Sequence, residues 1–285
     1  MLIDLLNNNG LLKCSCINFK TNTLSFCIDY SVSDNLKGNF PQASLKMSEI
    51  QLLYKLDNQW RNYEEILHEG MNKINLSSEK EWYEIECIIY LPILSDLNKL
   101  NLILPDGCCF EYVTEKKNLL VAGGVHSFGM GCTSSGTLFS NIISRKMELN
   151  PLQLTFYDRN FLDKIHNFLN EEDIPSFDYG ILELDYSNQD DFIVDNYLVD
   201  VVNLMLRHCN RLICWFTLPE GFDFKKNKLF NYLEPYLTGK NLILRDMSIL
   251  YNQDMVDMCT SSNNFLNDNG NILIYKRISR DMGLL

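Results

Sequence analysis

The sequence predicts a layered α/β protein that forms one domain over residues 1–285. Runs typical of strands alternate with runs typical of amphipathic helices after Cys132, and this alternation indicates helices packed on a sheet. Hydrophobic residues make up 46% of the chain, which is enough for a large core. No linker or low-complexity stretch divides the chain.

The first part of the chain is predicted to form a hairpin, a long helix and a strand. Alternating apolar runs at 11–19 and 23–30 flank a polar Lys-Thr-Asn-Thr turn. Apolar residues then recur at helical spacing over 44–74. The apolar run 82–91 indicates a strand that ends at Pro92.

The rest of the chain gives a regular series of elements. The predicted strands are 152–157, 179–185, 211–217, 241–245 and 271–275. The predicted helices are 134–146, 160–170, 196–209, 225–237 and 252–267.

The segment from Val125 to Ile143 contains the main candidate site. It is typical of a strand that stops at glycines, followed by Cys132 and by small hydroxylated residues that open the helix 134–146. The positive end of a helix favours the thiolate, which is the nucleophilic form of cysteine. The pattern therefore predicts acyl transfer through a thioester on Cys132. Burial in the core is the alternative for any single cysteine among the ten.

His126 is the candidate auxiliary base for Cys132. It precedes the cysteine by six residues with the same side-chain parity, a separation of roughly 20 Å if the chain is extended. Only a bend at Gly129 or Gly131 would bring the two side chains together. The other histidines lie in predicted helices and are expected to be ordinary polar residues: His68, His166 and His208.

Composition excludes several classes of function. The formal charge of −12 and the pI of about 4.8 disfavour binding to nucleic acid or to an anionic membrane. No apolar run reaches about 18 residues, so no membrane span is expected, and the N-terminus lacks the basic region of a signal peptide. The cysteines show neither zinc spacing nor a disulfide framework. We therefore expect a cytoplasmic protein with reduced thiols, no metal and no bound cofactor.

The order and spacing of these pieces resemble the thiolase superfamily, particularly the β-ketoacyl synthases of the third class. The resemblance rests on the predicted elements 44–74, 82–91 and 152–157 around Cys132. The sequence Gly-Cys-Thr-Ser-Ser at that cysteine is similar to the Gly-Cys-Thr-Ser-Gly of some polyketide ketosynthases. Two later stretches resemble the family's closing strands, Phe177 to Leu184 and Asn269 to Gly283.

The resemblance implies a thiolase-like layered fold, reduced in size, with two pseudo-repeated halves at about 1–158 and 159–285. It implies that Cys132 accepts an acyl group from an acyl-CoA or acyl-carrier-protein thioester, as in a ketosynthase. It also implies a homo- or heterodimer with a ketosynthase-like subunit, with acyl carrier protein as a further partner.

Departures from that family leave a second role open. Where the family has a catalytic histidine this chain has Cys214-Trp-Phe-Thr-Leu-Pro-Glu, and where it has Gly-Asn-Thr the chain has Arg245-Asp-Met-Ser. These missing residues would stabilise developing oxyanions. The short chain is similar to the non-catalytic subunits of heterodimeric ketosynthases, so a degenerate partner subunit is the alternative to acyl transfer.

A hydrolase is a further alternative. The stretch from Val125 to Gly129 resembles the Gly-x-Ser-x-Gly nucleophile elbow of α/β-hydrolases, with Ser127 as the nucleophile of an esterase or thioesterase. The β-branched Val125 replaces the first glycine, and no histidine follows His208, although such enzymes need a late histidine.

Two weaker patterns suggest binding sites. Ala122-Gly-Gly, followed by Gly129 and Gly131, could be a nucleotide loop with Asp158 as the acidic partner, but the spacing differs from Gly-x-Gly-x-x-Gly. Four carboxylates could bind a metal, although a solvated acidic loop is the simpler interpretation. They are Asp185, Asp190, Asp191 and Asp195.

Overall fold

The computed structural model divides the chain into two compact units. It describes residues 1–6, 16–35, 48–77, 84–113, 116–157, 160–170, 174–185, 191–217, 231, 233–234, 241–251 and 265–285. Unit 1 is Met1–Lys116 with Thr133–Gly136, and unit 2 is Lys117–Cys132 with Thr137–Leu285. The main division therefore lies near Lys117, whereas the predicted halves meet at residue 158.

Unit 1 consists of two antiparallel sheets. Its strands are β1 Leu2–Asp4, β2 Cys16–Thr21, β3 Ser25–Asn35, β4 Gln51–Leu56, β5 Gln59–Asn62, β6 Gly70–Asn75, β7 Ile85–Tyr90, β8 Ser95–Ile103 and β9 Phe110–Tyr112. One sheet has the order β1-β8-β3-β6 and the other β5-β4-β7-β2-β9. Both contribute side chains to one buried apolar cluster, including Ile28 of β3 and Leu52 of β4. Unit 1 is thus a β-sandwich.

Two predictions for this part of the chain were wrong. The runs proposed as a hairpin form β2 and β3, which belong to different sheets. Of the helix predicted over 44–74, residues 44–47 lie outside the described residues, and the rest contains β4, β5 and the first part of β6 instead. Asp57 and Asn58 join β4 to β5 with φ of 51° and 61°, and a two-residue loop with positive φ at both positions matches the twist of a hairpin.

Unit 2 is an α/β unit. Its strands are β10 Lys117–Gly123, β11 Leu149–Thr155, β12 Tyr179–Asp185, β13 Leu212–Thr217 and β14 Leu242–Asp246. Its helices are α1 Val125–Phe128, α2 Phe139–Met147, α3 Phe161–Leu169, α4 Asp191–His208 and α5 Asp268–Met282. The strands pair in parallel in the order β11-β10-β12-β13-β14. The general α/β prediction is therefore confirmed.

The two faces of the parallel sheet differ in character. One face forms an apolar cluster with α3 and α4, to which Leu182, Leu184 and Cys214 contribute. The alternate residues point to the opposite face, where Trp215 contacts Phe139 of α2 at 5.9 Å between ring centroids. Helices thus cover both faces, as is usual for parallel sheets.

The C-terminal segments differ from the sequence prediction. The proposed closing strand 271–275 lies inside α5, where the buried residues Ile274, Ile278 and Met282 recur every four positions. Helical periodicity over four turns therefore outweighs the local β-branched run. The helices predicted at 225–237 and 252–267 fall outside the described residues, except 231, 233–234 and 265–267.

In the part of the chain that the structure describes, no helix is both long and apolar enough to cross a membrane.

Candidate active site

The strand order of unit 2 indicates where a ligand would bind. From β10 the chain runs to β11 on one side, and it returns to β12 on the other side of β10. In open parallel sheets, ligands bind beyond the carboxyl ends of the two strands where the order reverses. Here those ends are the carboxyl ends of β10 and β12. The segment that begins at Gly124 leaves this edge, so the candidate site includes α1.

Glu183 of β12 connects the two strands at this edge. Its side chain is fully buried. One carboxylate oxygen accepts a hydrogen bond from the backbone N–H of His126 at 3.2 Å, and the other accepts one from the N–H of Ser127 at 2.6 Å. These N–H groups lie in the first turn of α1, where they have no intrahelical partners. Glu183 therefore fixes the start of α1 against β12.

Two glycines make room for this carboxylate. A Cβ atom at Gly123 would lie 2.5 Å from the Glu183 Cβ and 2.8 Å from the Ser127 Oγ. A Cβ atom at Gly124 would lie 3.1 Å from the Phe161 ring. The Gly-Gly pair that suggested a nucleotide loop therefore serves close packing between β10, α1 and β12. Asp158, the proposed acidic partner of that loop, lies outside the described residues.

Ser127 is enclosed in this arrangement. Its side chain is fully buried, and the Oγ atom makes no hydrogen bond to any described residue. The strand and the following helix that the elbow interpretation requires are present as β10 and α1. Gly129 then ends α1 with a φ of 92°. The position in the fold thus suits a nucleophile, while the exposure of the side chain does not.

The histidines of the chain are all described, and only His126 is near Ser127 in the sequence. The His126 side chain is buried, with its ring centroid 6.0 Å from that of Trp215. His166 lies on α3 and His208 ends α4, as predicted. His68 does not lie in a helix, because it precedes β6 in unit 1.

The surroundings of Cys132 differ from those that the sequence pattern predicted. A 3-10 turn, Ser135–Thr137, follows the cysteine, and the α-helix begins only at Phe139, so Cys132 does not lie at the N-terminus of α2. The side chain is 2% exposed, and its Sγ accepts a hydrogen bond from the Asn271 Nδ2 at 3.3 Å. Burial raises the pKa of the Cys132 thiol, and the charge of Asp268 raises it further. A hydrogen bond with Thr137 lowers the pKa, but by a smaller amount. The thiol form is therefore favoured.

The cysteines are expected to differ sharply in reactivity. Cys109 is exposed and should be alkylated by iodoacetamide at pH 8, whereas Cys132 should react only after unfolding because buried, protonated thiols are poor nucleophiles. Peptide mass mapping before and after adding urea measures the extent of alkylation at Cys109 and at Cys132. Equal rates at the two residues in the folded protein would restore Cys132 as a nucleophile.

A metal centre finds no support. Among the described residues, no group of three or more His, Cys, Asp or Glu side chains is arranged to hold a metal ion. Of the four carboxylates considered from the sequence, Asp190 lies outside the described residues, and the side chains of the other three are not described.

Structural comparison gives consistent neighbours. The sequence matches no protein-family profile and no curated protein. A GDSL-like lipase from Bacteroides ovatus has 18% identity and a TM-score of 0.69, over 94% of this chain and 83% of that one. A salicylyl-acyltransferase from a tetracycline biosynthetic pathway has 15% identity and a TM-score of 0.67, over 94% and 81%. A family two carbohydrate esterase from Clostridium thermocellum has 10% identity and a TM-score of 0.61, over all of both chains.

These neighbours correct the thiolase-like interpretation. The fold is shared with a GDSL-like lipase structure and a family two carbohydrate esterase structure. The assignments as a thiolase-like protein and as a ketosynthase were therefore wrong. Two of the elements that carried the resemblance, the helix over 44–74 and the strand over 271–275, are absent from the described residues of those ranges. The esterase alternative agrees better with the fold than ketosynthase chemistry does.

Proposed function

We propose that this protein processes acyl esters, as an esterase or an acyltransferase, at the carboxyl ends of β10 and β12. The fold carries this proposal, because its structural neighbours are named as a lipase-like protein, an acyltransferase and a carbohydrate esterase. All three names denote hydrolysis or transfer of an acyl group. The proposed substrate is an ester of a hydroxylated small molecule or carbohydrate.

Ser127 is the proposed nucleophile. It follows the first parallel strand at the topological switch point, which is where reactive groups collect in this class of sheet. The Ser127 Oγ would attack the ester carbonyl carbon and release the alcohol, with His126 as the candidate base for the hydroxyl proton. Water would then hydrolyse the acyl-serine, or an acceptor hydroxyl would take the acyl group. Because the Oγ is enclosed in the described arrangement, this chemistry requires the side chain to become accessible.

A second candidate function is binding of the same esters without catalysis. The enclosed hydroxyl of Ser127 favours it, since that side chain has no hydrogen bond to a base among the described residues. A nucleophilic serine normally has a base within about 3 Å, and that base is held in turn by a third group.

Hydrolysis of an aryl acetate and of an acetylated oligosaccharide distinguishes the two functions. We expect turnover by the wild-type protein, and a loss of about 1,000-fold or more in Ser127→Ala, because the residual rate lacks the covalent route. Ser279→Ala is the matched control, since the Ser279 Oγ is also buried without a hydrogen bond among the described residues. Equal turnover by both variants would overturn the role of Ser127. Binding of the ester with no turnover by the wild type would establish the second function.

A further inference from the structure

We propose that Glu183 is a positioning residue, which sets the place of Ser127 by holding the backbone of α1 from the neighbouring strand. The hydrogen bonds from α1 to Glu183 do not depend on any catalytic activity, while the effect of Glu183 on turnover rests on the proposed function. Glu183 does not contact a substrate in this proposal. It acts through the two N–H groups of His126 and Ser127.

The location of Glu183 is unusual for a carboxylate. Among the Asp and Glu side chains that the structure describes, only Glu183 is buried. Its strand, β12, is the central strand of the parallel sheet and lies between β10 and β13. Its strand neighbours Leu182 and Leu184 point into the apolar cluster on the other face. Burial of a carboxylate in such surroundings is costly unless strong hydrogen bonds satisfy it. A residue chosen only for packing at this position would be apolar.

The geometry fits a carboxylate specifically. Each of its two oxygens accepts one N–H, so both oxygens serve as acceptors. Both N–H groups lie in the first turn of α1 and have no partner within the helix. A glutamine offers one accepting oxygen and turns an NH₂ group toward the second N–H. An aspartate is one methylene shorter, so from the same strand it cannot reach both groups.

The missing side chains at Gly123 and Gly124 support the same conclusion. The Glu183 side chain reaches α1 through the space that both glycines leave open. A Cβ on Gly123 would lie 2.5 Å from the Glu183 Cβ, and a Cβ on Gly124 would lie 3.4 Å from the Glu183 Oε1. The two glycines at the end of β10 therefore allow the Glu183 side chain of β12 to pack against α1. The fixed part of α1 is the part that carries Ser127.

Amide hydrogen exchange tests the positioning directly. In Glu183→Gln we expect exchange at His126 or Ser127 to accelerate about 10-fold or more, because glutamine offers one acceptor for the two N–H groups. Amides in α3 and α4 should keep their wild-type rates. Glu64→Gln, at an exposed position in unit 1, is the control. Unchanged protection of both amides in Glu183→Gln would overturn the proposal.

Turnover separates positioning from a general structural role. If the wild type hydrolyses esters, Glu183→Gln should lower kcat by about 100-fold with KM changed less than about twofold, because a displaced nucleophile costs rate rather than binding. A loss confined to KM would overturn the effect on turnover. If Glu183→Gln does not fold, the wild type alone decides, since exchange of its Ser127 N–H at the rate of an exposed amide would contradict the proposal. Absence of turnover in the wild type would contradict the proposed function and leave the exchange result standing.

Discussion

Replacing Gly131 by alanine is expected to lower the free energy of unfolding by about 3 kcal/mol. An added Cβ would lie 2.3 Å from the backbone oxygen of Leu266 and 2.8 Å from the carbonyl carbon of the same residue. Backbone atoms cannot rotate away as a side chain can, so the segment after α1 must separate from the segment before α5. Urea denaturation followed by circular dichroism measures the loss.

Gly180→Ala is the matched comparison for this prediction. Gly180 is buried, whereas Gly131 is half-buried, and the nearest atoms to an added Cβ at Gly180 belong to side chains, the Cys209 Sγ at 2.7 Å and the Leu212 Cδ1 at 3.1 Å. These atoms can shift, so the expected loss is about 1 kcal/mol. A Gly131→Ala protein as stable as Gly180→Ala would contradict the close approach of residue 131 to Leu266.

Replacing Asn271 by leucine is expected to cost about 3 kcal/mol of stability. The fully buried Asn271 side chain connects three parts of unit 2. Its Oδ1 accepts the N–H of Phe139 at the start of α2 at 2.9 Å, and its Nδ2 donates to the carbonyl of Leu266 and to the Cys132 Sγ, both at 3.3 Å. Leucine has a similar volume but leaves the Phe139 N–H buried without this acceptor. Thermal denaturation reports the change.

The control for Asn271 lies on the same helix. Asn269 is exposed in the first turn of α5, so Asn269→Leu should change stability by less than about 0.5 kcal/mol. Equal effects of the two substitutions would show that the buried amide does not anchor α2. The Asn271→Leu protein should also alkylate faster at Cys132, because the segment that covers this thiol loses its connection to α5.

The parallel sheet could be predicted from the sequence, and the sandwich could not. Strands β12, β13 and β14 contain the apolar runs Ile-Leu, Leu-Ile-Cys-Trp-Phe and Leu-Ile-Leu, and such runs are typical of strands buried on both faces. In unit 1, by contrast, apolar positions over 44–74 fit helical spacing as well as short strands. The Asp57-Asn58 pair was the available signal for a hairpin, since these residue types tolerate positive φ.

The sequence singled out one segment of the candidate site but missed another residue of it. The sequence pointed to the segment after β10, and His126, Ser127 and Cys132 all lie there. Glu183 was missed, because in the sequence it is only a charged residue within an apolar strand. A carboxylate at such a position signals a fixed partner, but the partner here is a pair of backbone N–H groups 56 and 57 residues away. No local pattern shows that pairing.

Labelling with a fluorophosphonate tests whether the carboxyl ends of β10 and β12 process acyl esters through Ser127. Such reagents form a stable adduct with a nucleophilic serine, and intact-protein mass followed by peptide mapping locates it. We expect one adduct on the peptide that contains Ser127. This adduct should be lost in Ser127→Ala and retained in Ser279→Ala. No adduct on the wild-type protein, or an adduct that persists in Ser127→Ala, would contradict the role of Ser127 as the nucleophile.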